Sequence, residues 1–339
     1  MTRILTYNIL VGGTGRIDQL TNIISSAHPD IVGLVEATNP QVVEDLAHRL
    51  GMQHRMSGTP KHRRDWQLAL LSRLPIVDAQ SHVRPGILTK PVLEVCIEEE
   101  DGGKLTVFVT HLAAAFYRGR GGEVIRRREV REILRIMASK RRTPQLLIGD
   151  FNAIAPGDRL KASILLRYLL DMDRRHQQNP DAHTGYPNLD FVVPEPVRFL
   201  NPLLRVIPRS KLLSALFDRT GSLYAPRGST GLIYKAGYVD CFRYMNPYAW
   251  GFTCPARAPA GRIDYIFASP ELAGYLSGCE VVTQGNGFRG EEASDHLPVV
   301  ADFREGVENK IISPATELDE NADLARNEED ENIQGIGVG

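Results

Sequence analysis

Leu146-Leu147-Ile148-Gly149-Asp150-Phe151-Asn152 is an apolar run that stops at a carboxylate and, two residues on, an amide. The run has the length and composition of a buried strand, bounded by Pro144 and Gly149. A charge at the end of a buried strand must be solvated, paired or bound to something. Asp150 can supply a base or metal ligand there, and Asn152 can orient a water or a phosphate oxygen. A strand end followed by an Asx-type turn produces the same residues. The rest of the chain separates these readings, because the same event recurs.

Ile4 to Val11 reads as a strand that carries Asn8. Ile17, Leu20, Ile23 and Ile24 form a helical stripe that stops before Pro29. Ile31-Val32-Gly33-Leu34-Val35 is a second buried strand and ends at Glu36. Asn39 and Pro40 open a helix as N-cap and first helical residue, with Val43, Leu46 and Leu50 on its apolar side. Further strands are expected at 67–72, 76–83, 91–97 and 104–110, the last running into His111. A helix is expected around 122–139, with Ile125, Ile133, Leu134 and Met137 apolar. Ile263 to Ala268, with Asp264 near its start, Cys279 to Thr283 and Leu297 to Phe303 complete the strands. Closely spaced strands favour hairpins, and so mixed sheets with outer helices, over a purely parallel array. Gly13-Thr14-Gly15 imitates a dinucleotide fingerprint, but Asp18 stands where its third glycine belongs.

Residues 158–226 break the rhythm. They hold a helical patch (Leu165, Leu166, Leu169, Leu170), a bridge with Pro180, Pro187, Pro194, Pro196 and Pro202, and a second helix near 208–219. Strands resume afterwards, so this is an insertion or cap on a main domain of residues 1–304. Residues 305–339 carry ten acidic residues and two basic ones, against 31 and 38 in the first 304. This acidic tail lacks aromatics and reads as disordered. Basic clusters at Lys61-His62-Arg63-Arg64, Arg126-Arg127-Arg128 and Lys140-Arg141-Arg142 read singly as solvated faces, and together can attract a polyanion. No apolar run approaches the ~20 residues that span a bilayer, and no membrane-binding hydrophobic loop stands out. The N-terminus reads as a strand, without the apolar core of a signal peptide. Cys96, Cys241, Cys254 and Cys279 are far apart with no metal-type spacing, so they are expected reduced in a cytoplasmic protein.

Polar residues therefore punctuate the strands repeatedly: Asn8, Glu36, His111, Asp150 with Asn152, Asp264, and Asp295 with His296. Positions restricted to Asn, Asp, Glu and His point to one convergent site. Oxygen donors of this kind suit a hard divalent cation, and a His–Asp pair suits acid–base work. The absence of Cys argues against zinc thiolate.

Six motifs carry a family resemblance: Thr6-Tyr7-Asn8-Ile9, Gly33-Leu34-Val35-Glu36, Thr110-His111-Leu112, Gly149-Asp150-Phe151-Asn152, Arg262-Ile263-Asp264-Tyr265-Ile266 and Ser294-Asp295-His296-Leu297-Pro298. Their kind and order resemble the endonuclease/exonuclease/phosphatase family, the DNase I-like fold, over roughly residues 3–303 without 158–226. The resemblance implies an α/β (α+β) four-layer sandwich with two central mixed, mainly antiparallel sheets. It implies Mg²⁺- or Mn²⁺-dependent hydrolysis of a phosphoester, most simply a phosphodiester, by an activated water. Carried over motif by motif, Glu36 is the main metal ligand, with Asn8 and Asp295 close to the metal or its waters. Asp150 orients or deprotonates the water, and Asn152 binds the phosphate. His296 is the catalytic histidine, Asp264 fixes its tautomer, and His111 is a second phosphate-facing histidine. Nucleic acid competes with phospholipid, inositol-phosphate and nucleotide substrates. A non-catalytic binding module would betray itself by losing one of these residues, and none is missing.

Overall fold

The computed structural model describes residues 2–58, 67–140, 143–178, 189, 193, 198–199 and 201–304. The basic cluster at 61–64, Arg141 and Arg142, four of the five bridge prolines and the acidic tail lie outside the described residues. In the N-terminal half the strands are β1 (Thr2–Asn8), β2 (Ile31–Val35), β3 (Gln53–Met56), β4 (Leu68–Ser72), β5 (Ile76–His82), β6 (Val92–Glu98), β7 (Lys104–His111) and β8 (Gln145–Asp150). In the C-terminal half they are β9 (Val239–Asp240), β10 (Asp264–Ala268), β11 (Leu276–Val281), the short pair β12 (Gln284–Gly285) and β13 (Phe288–Arg289), and β14 (Val299–Phe303).

Two six-stranded sheets result, in the orders β11-β14-β1-β2-β4-β3 and β5-β6-β7-β8-β10-β9. Among the described residues, only β1–β2 and β7–β8 pair in parallel; the remaining pairings are antiparallel. The sheets are thus mixed and mainly antiparallel, as expected. The first strand ends earlier than its apolar pattern, at Asn8, because Leu10 and Val11 turn the chain with φ of 49° and 47°. The polar β3 was not foreseen, since its residues alternate exposed and half-buried instead of forming an apolar run.

Strand alternation explains the layers. Ile4, Ile31, Val35, Val107, Val109, Leu146, Ile148 and Ile266 fill the space between the sheets. Leu5, Tyr7, Val32 and Leu34 face the other way, onto α1 (Ile17–Ser26) and α2 (Pro40–Leu50). Phe108, Leu147, Phe151, Tyr265 and Phe267 face α3 (Arg120–Ala138) on the far side. Gly33 lets the sheets approach: a methyl there would lie 2.5 Å from Ile148 Cδ1. Asn39 caps α2 by accepting from Gln41 N, and Pro40 sits at its first turn.

The described part of 158–226 contains α4 (Ala162–Gln178) and a helix at Lys211–Tyr224. Leu166, Leu169 and Leu170 of α4 share a small core with Phe217, apart from the sheet cores. A buried ion network anchors the base of this segment. Arg262 makes a two-pronged pair with Asp240 at 2.7 and 2.6 Å and donates Nε to Asp158 Oδ2 at 2.8 Å. Arg126, expected on a solvated face, is instead fully buried against Glu123 and the Ala113 carbonyl.

Candidate active site

The strand pairings bring the polar strand ends to one edge of the two sheets. Asn8 stands opposite Val35 in the parallel β1–β2 pair, one residue from Glu36. His111 stands opposite Asp150 in the parallel β7–β8 pair. Because β10 runs antiparallel to β8, the start of β10 meets the end of β8, and Asp264 is also in register with Asp150. Sheet-to-sheet packing then places Asn8 Nδ2 3.2 Å from Asp150 Oδ2 and 3.2 Å from Glu36 Oε1.

Two of these residues sit in left-handed backbone, which non-glycine residues adopt at a cost of about 1–3 kcal/mol. Glu36 has φ 59°, held by its carbonyl accepting from Gly12 N and Thr38 N at 2.8 Å each. Its Oε2 accepts from Val11 N at 2.8 Å. Asn152 has φ 46° and donates its backbone N–H to Asp150 Oδ1 at 2.9 Å. Asp150 therefore does close an Asx turn with one oxygen while presenting the other to Asn8. Gly149 makes this register possible, for its φ is 137° and a Cβ would lie 1.9 Å from the Thr110 carbonyl.

On the other side of Asp150 stands the His296–Asp264 pair, with Nδ1 to Oδ2 at 2.8 Å. His296 Nε2 lies 3.9 Å from Asp150 Oδ2. Burial disfavours the imidazolium, but Asp264, aided by Cys254 and Asp295, outweighs it and holds His296 well above the usual histidine range. Burial, with Asp264, pushes Asp150 up to about 7, against the opposing pull of His296 and Lys90. Ser294 fixes the histidine loop: its hydroxyl donates to the Asn8 carbonyl at 2.6 Å and accepts from His296 N at 3.3 Å. Thr253 Oγ1 accepts from Ile263 N and Asp264 N, at 3.1 and 3.3 Å, and so seats Asp264. Arg262, a possible competitor for Asp264, is committed to Asp240 and Asp158.

His111 Nε2 lies 3.5 Å from Asp150 Oδ2, and its buried Nδ1 has no hydrogen-bond partner. Burial first, then the charges of Lys90 and His296, push His111 well below the usual range, so it is neutral. Asp295 is half-buried beside Glu36 and His296; burial and Glu36 raise its carboxyl against the pull of His296.

Lys90 escapes a reading of the sequence. It is buried in the loop before β6, and Nζ donates to the Leu112 carbonyl at 3.0 Å. Asn152 Nδ2 donates to that same carbonyl at 3.1 Å. Burial brings Lys90 down to about 8, against Asp150, Glu36 and Glu129. Glu129 of α3 accepts from Thr89 N and Ala113 N at 3.0 and 2.9 Å, tying both flanking loops to the helix. A single lysine before a proline in a loop has no periodic signature, so only the fold reveals it.

The donor set suits a divalent cation. Two carboxylates, Glu36 and Asp150, converge on Asn8, whose Nδ2 donates to both while its Oδ1 accepts from Leu10 N. Among the described residues, one donor atom each of Asp150, Asp264 and His296 also lies within 4.8 Å of the others. Two of those three are bonded to each other, which fits a charged proton donor better than a ligand pair.

The sequence matches the Endonuclease/Exonuclease/phosphatase family over residues 5–296. The chain belongs to that family. It is therefore a phosphoester hydrolase, of a family that depends on a divalent metal. Solved structures agree with the DNase I-like fold. An AP endonuclease from Archaeoglobus fulgidus is 18% identical, covers 89% of this chain and 99% of its own, and has a TM-score of 0.58. The 3′ phosphatase NExo from Neisseria, bound to a product DNA hairpin, is 17% identical, with coverages of 89% and 99% and a TM-score of 0.56. An endonuclease/exonuclease/phosphatase from Beutenbergia cavernae is 20% identical, with coverages of 89% and 71% and a TM-score of 0.55. No curated protein matches the sequence. Among the described residues, no helix of this family member is long and apolar enough to cross a membrane.

Proposed function

We propose that the protein is a Mg²⁺- or Mn²⁺-dependent phosphodiesterase that cleaves nucleic acid with an activated water. The observation that carries this reading is the position of Asp150. It stands between Asn8, whose amide also holds Glu36, and a charged His296–Asp264 pair. Glu36 would be the main ligand of the cation, with Asn8 and Asp295 beside it. When bound, the cation supplies positive charge against that developing on the phosphate oxygens.

The chain's own residues do the rest. Asp150, with a proton affinity near neutrality, takes the proton of the attacking water. Asn152 offers an amide proton to a phosphate oxygen, since its N–H₂ group has two donors and Leu112 uses one. His296, protonated at Nε2, stabilises the phosphate or the leaving oxygen. Asp264 holds its Nδ1 and so sets that orientation. Neutral His111 offers a second hydrogen bond without adding charge.

Nucleic acid is supported by the basic excess of residues 1–304 and by the DNA hairpin named with the Neisseria structure. Four free thiols, Cys96, Cys241, Cys254 and Cys279, accord with a reducing, cytoplasmic setting. Residues 158–226 follow Asn152 directly, and we assign them the role of a cap that selects the substrate. The test is a metal-supplemented screen against DNA, RNA, phospholipids, inositol phosphates and nucleotides. Turnover of DNA or RNA, lost on chelation, is expected; turnover confined to lipids, inositol phosphates or nucleotides contradicts the substrate.

A further inference from the structure

The described residues expose thirteen large hydrophobic side chains, and six of them fall between Phe199 and Leu216. Phe199, Leu203 and Leu212 are 77%, 62% and 79% exposed, and Val206, Leu213 and Leu216 join them. The helix Lys211–Tyr224 shows why. It turns Phe217 into the small core shared with α4, and Asp218 accepts from Ser163 N at 2.7 Å, so Leu212 and Leu216, one turn apart, point outward. The apolar face of this helix is thus split, one side satisfied by α4 and the other turned to solvent.

The surroundings are basic. Arg205, Arg209 and Lys211 are exposed within the patch, and no acidic residue occurs between Phe199 and Phe217. Next to it lies a cavity of about 440 Å³ where Arg167 and Arg174 of α4 meet Arg205 and Arg209, with Asp173 the one carboxylate lining it among the described residues. Exposed apolar side chains ringed by arginines match an anionic bilayer surface, whose acyl boundary takes the leucines while its phosphates take the guanidinium groups. A nucleic acid would use the arginines but has no use for five aliphatic side chains beside one aromatic. A second copy would bring a like-charged patch against this one.

We infer that Phe199 together with Leu203–Leu216 forms a docking surface for anionic lipid membranes, holding the enzyme peripherally. The inference does not depend on which phosphoester the catalytic site cleaves. The full chain should co-sediment with vesicles of equal parts phosphatidylglycerol and phosphatidylcholine, and not with phosphatidylcholine alone. Arg205→Ser with Arg209→Ser should weaken binding by about fivefold per charge removed. Leu212→Ser with Leu216→Ser should weaken it by about tenfold or more, and should do so even at high salt. All four positions are exposed, so circular dichroism should stay as in the parent. Failure of the full chain to sediment with anionic vesicles overturns the inference. So does binding unaffected by the leucine pair while a DNA oligonucleotide is held through the arginines, or a sedimentation-velocity dimer that the leucine pair dissolves.

Discussion

His296 Nδ1 and Asp264 Oδ2 lie 2.8 Å apart in buried surroundings, and this contact sets the charge of the site. Burial alone would favour neutral imidazole; Asp264 reverses that and keeps His296 protonated above its ordinary range. The contact contributes fully below about pH 6.5, the unfolded value, and its contribution fades as pH rises through the raised folded value. Asp264→Asn removes the compensating charge. The alkaline limb of kcat/KM on a soluble diester should then move to lower pH by about one unit or more. An unmoved limb would show that His296 owes its charge to something else.

Glu36 is expected to matter through cation affinity. Glu36→Gln keeps the shape and the hydrogen bond from Val11 N but removes the charge. Titration calorimetry with Mn²⁺ should give an affinity at least about tenfold weaker than the parent. Equal affinity would place the cation elsewhere, with Asp150, Asp264 and His296 the next grouping to test.

Lys90→Met tests the residue that only the fold reveals. Lys90 pulls Asp150 down, so its removal should raise the acid limb of the pH profile. Loss of a buried positive donor beside Asn152 should also cut the rate on a diester by about a hundredfold. A parental rate and acid limb would make Lys90 a packing residue.

Arg262→Met strands Asp158 and Asp240, both buried, without their shared partner. Denaturant unfolding should report a loss of about 3–5 kcal/mol. A change within ±0.5 kcal/mol would mean that Arg243, which also holds Asp158 at 2.7 Å, suffices.

The sequence carried the sheets because buried strands leave apolar runs, and it carried the polar ends because each run stops at a group that cannot stay unpaired. It left Asp150 open between a turn and a site. The structure shows the turn, with one Asp150 oxygen on Asn152 N, and the other oxygen accepts from Asn8. The polar strand β3, the burial of Arg126 and the place of Lys90 were not legible, because each depends on partners distant in sequence. Arg126 reads as part of a basic cluster until Ala113 and Glu123 are seen around it. The outward leucines of Lys211–Tyr224 were hidden for a related reason: an apolar helix pattern does not say which of its sides is covered.

The proposed reaction has Glu36 and His296 acting together from opposite sides of Asp150. Its most direct test is hydrolysis of bis(p-nitrophenyl) phosphate with Mg²⁺ or Mn²⁺ by the parent, Glu36→Ala and His296→Ala proteins, with folding checked by circular dichroism. The parent should turn over, and each folded variant should lose about a hundredfold or more of the rate. Parental activity in either folded variant would contradict the account.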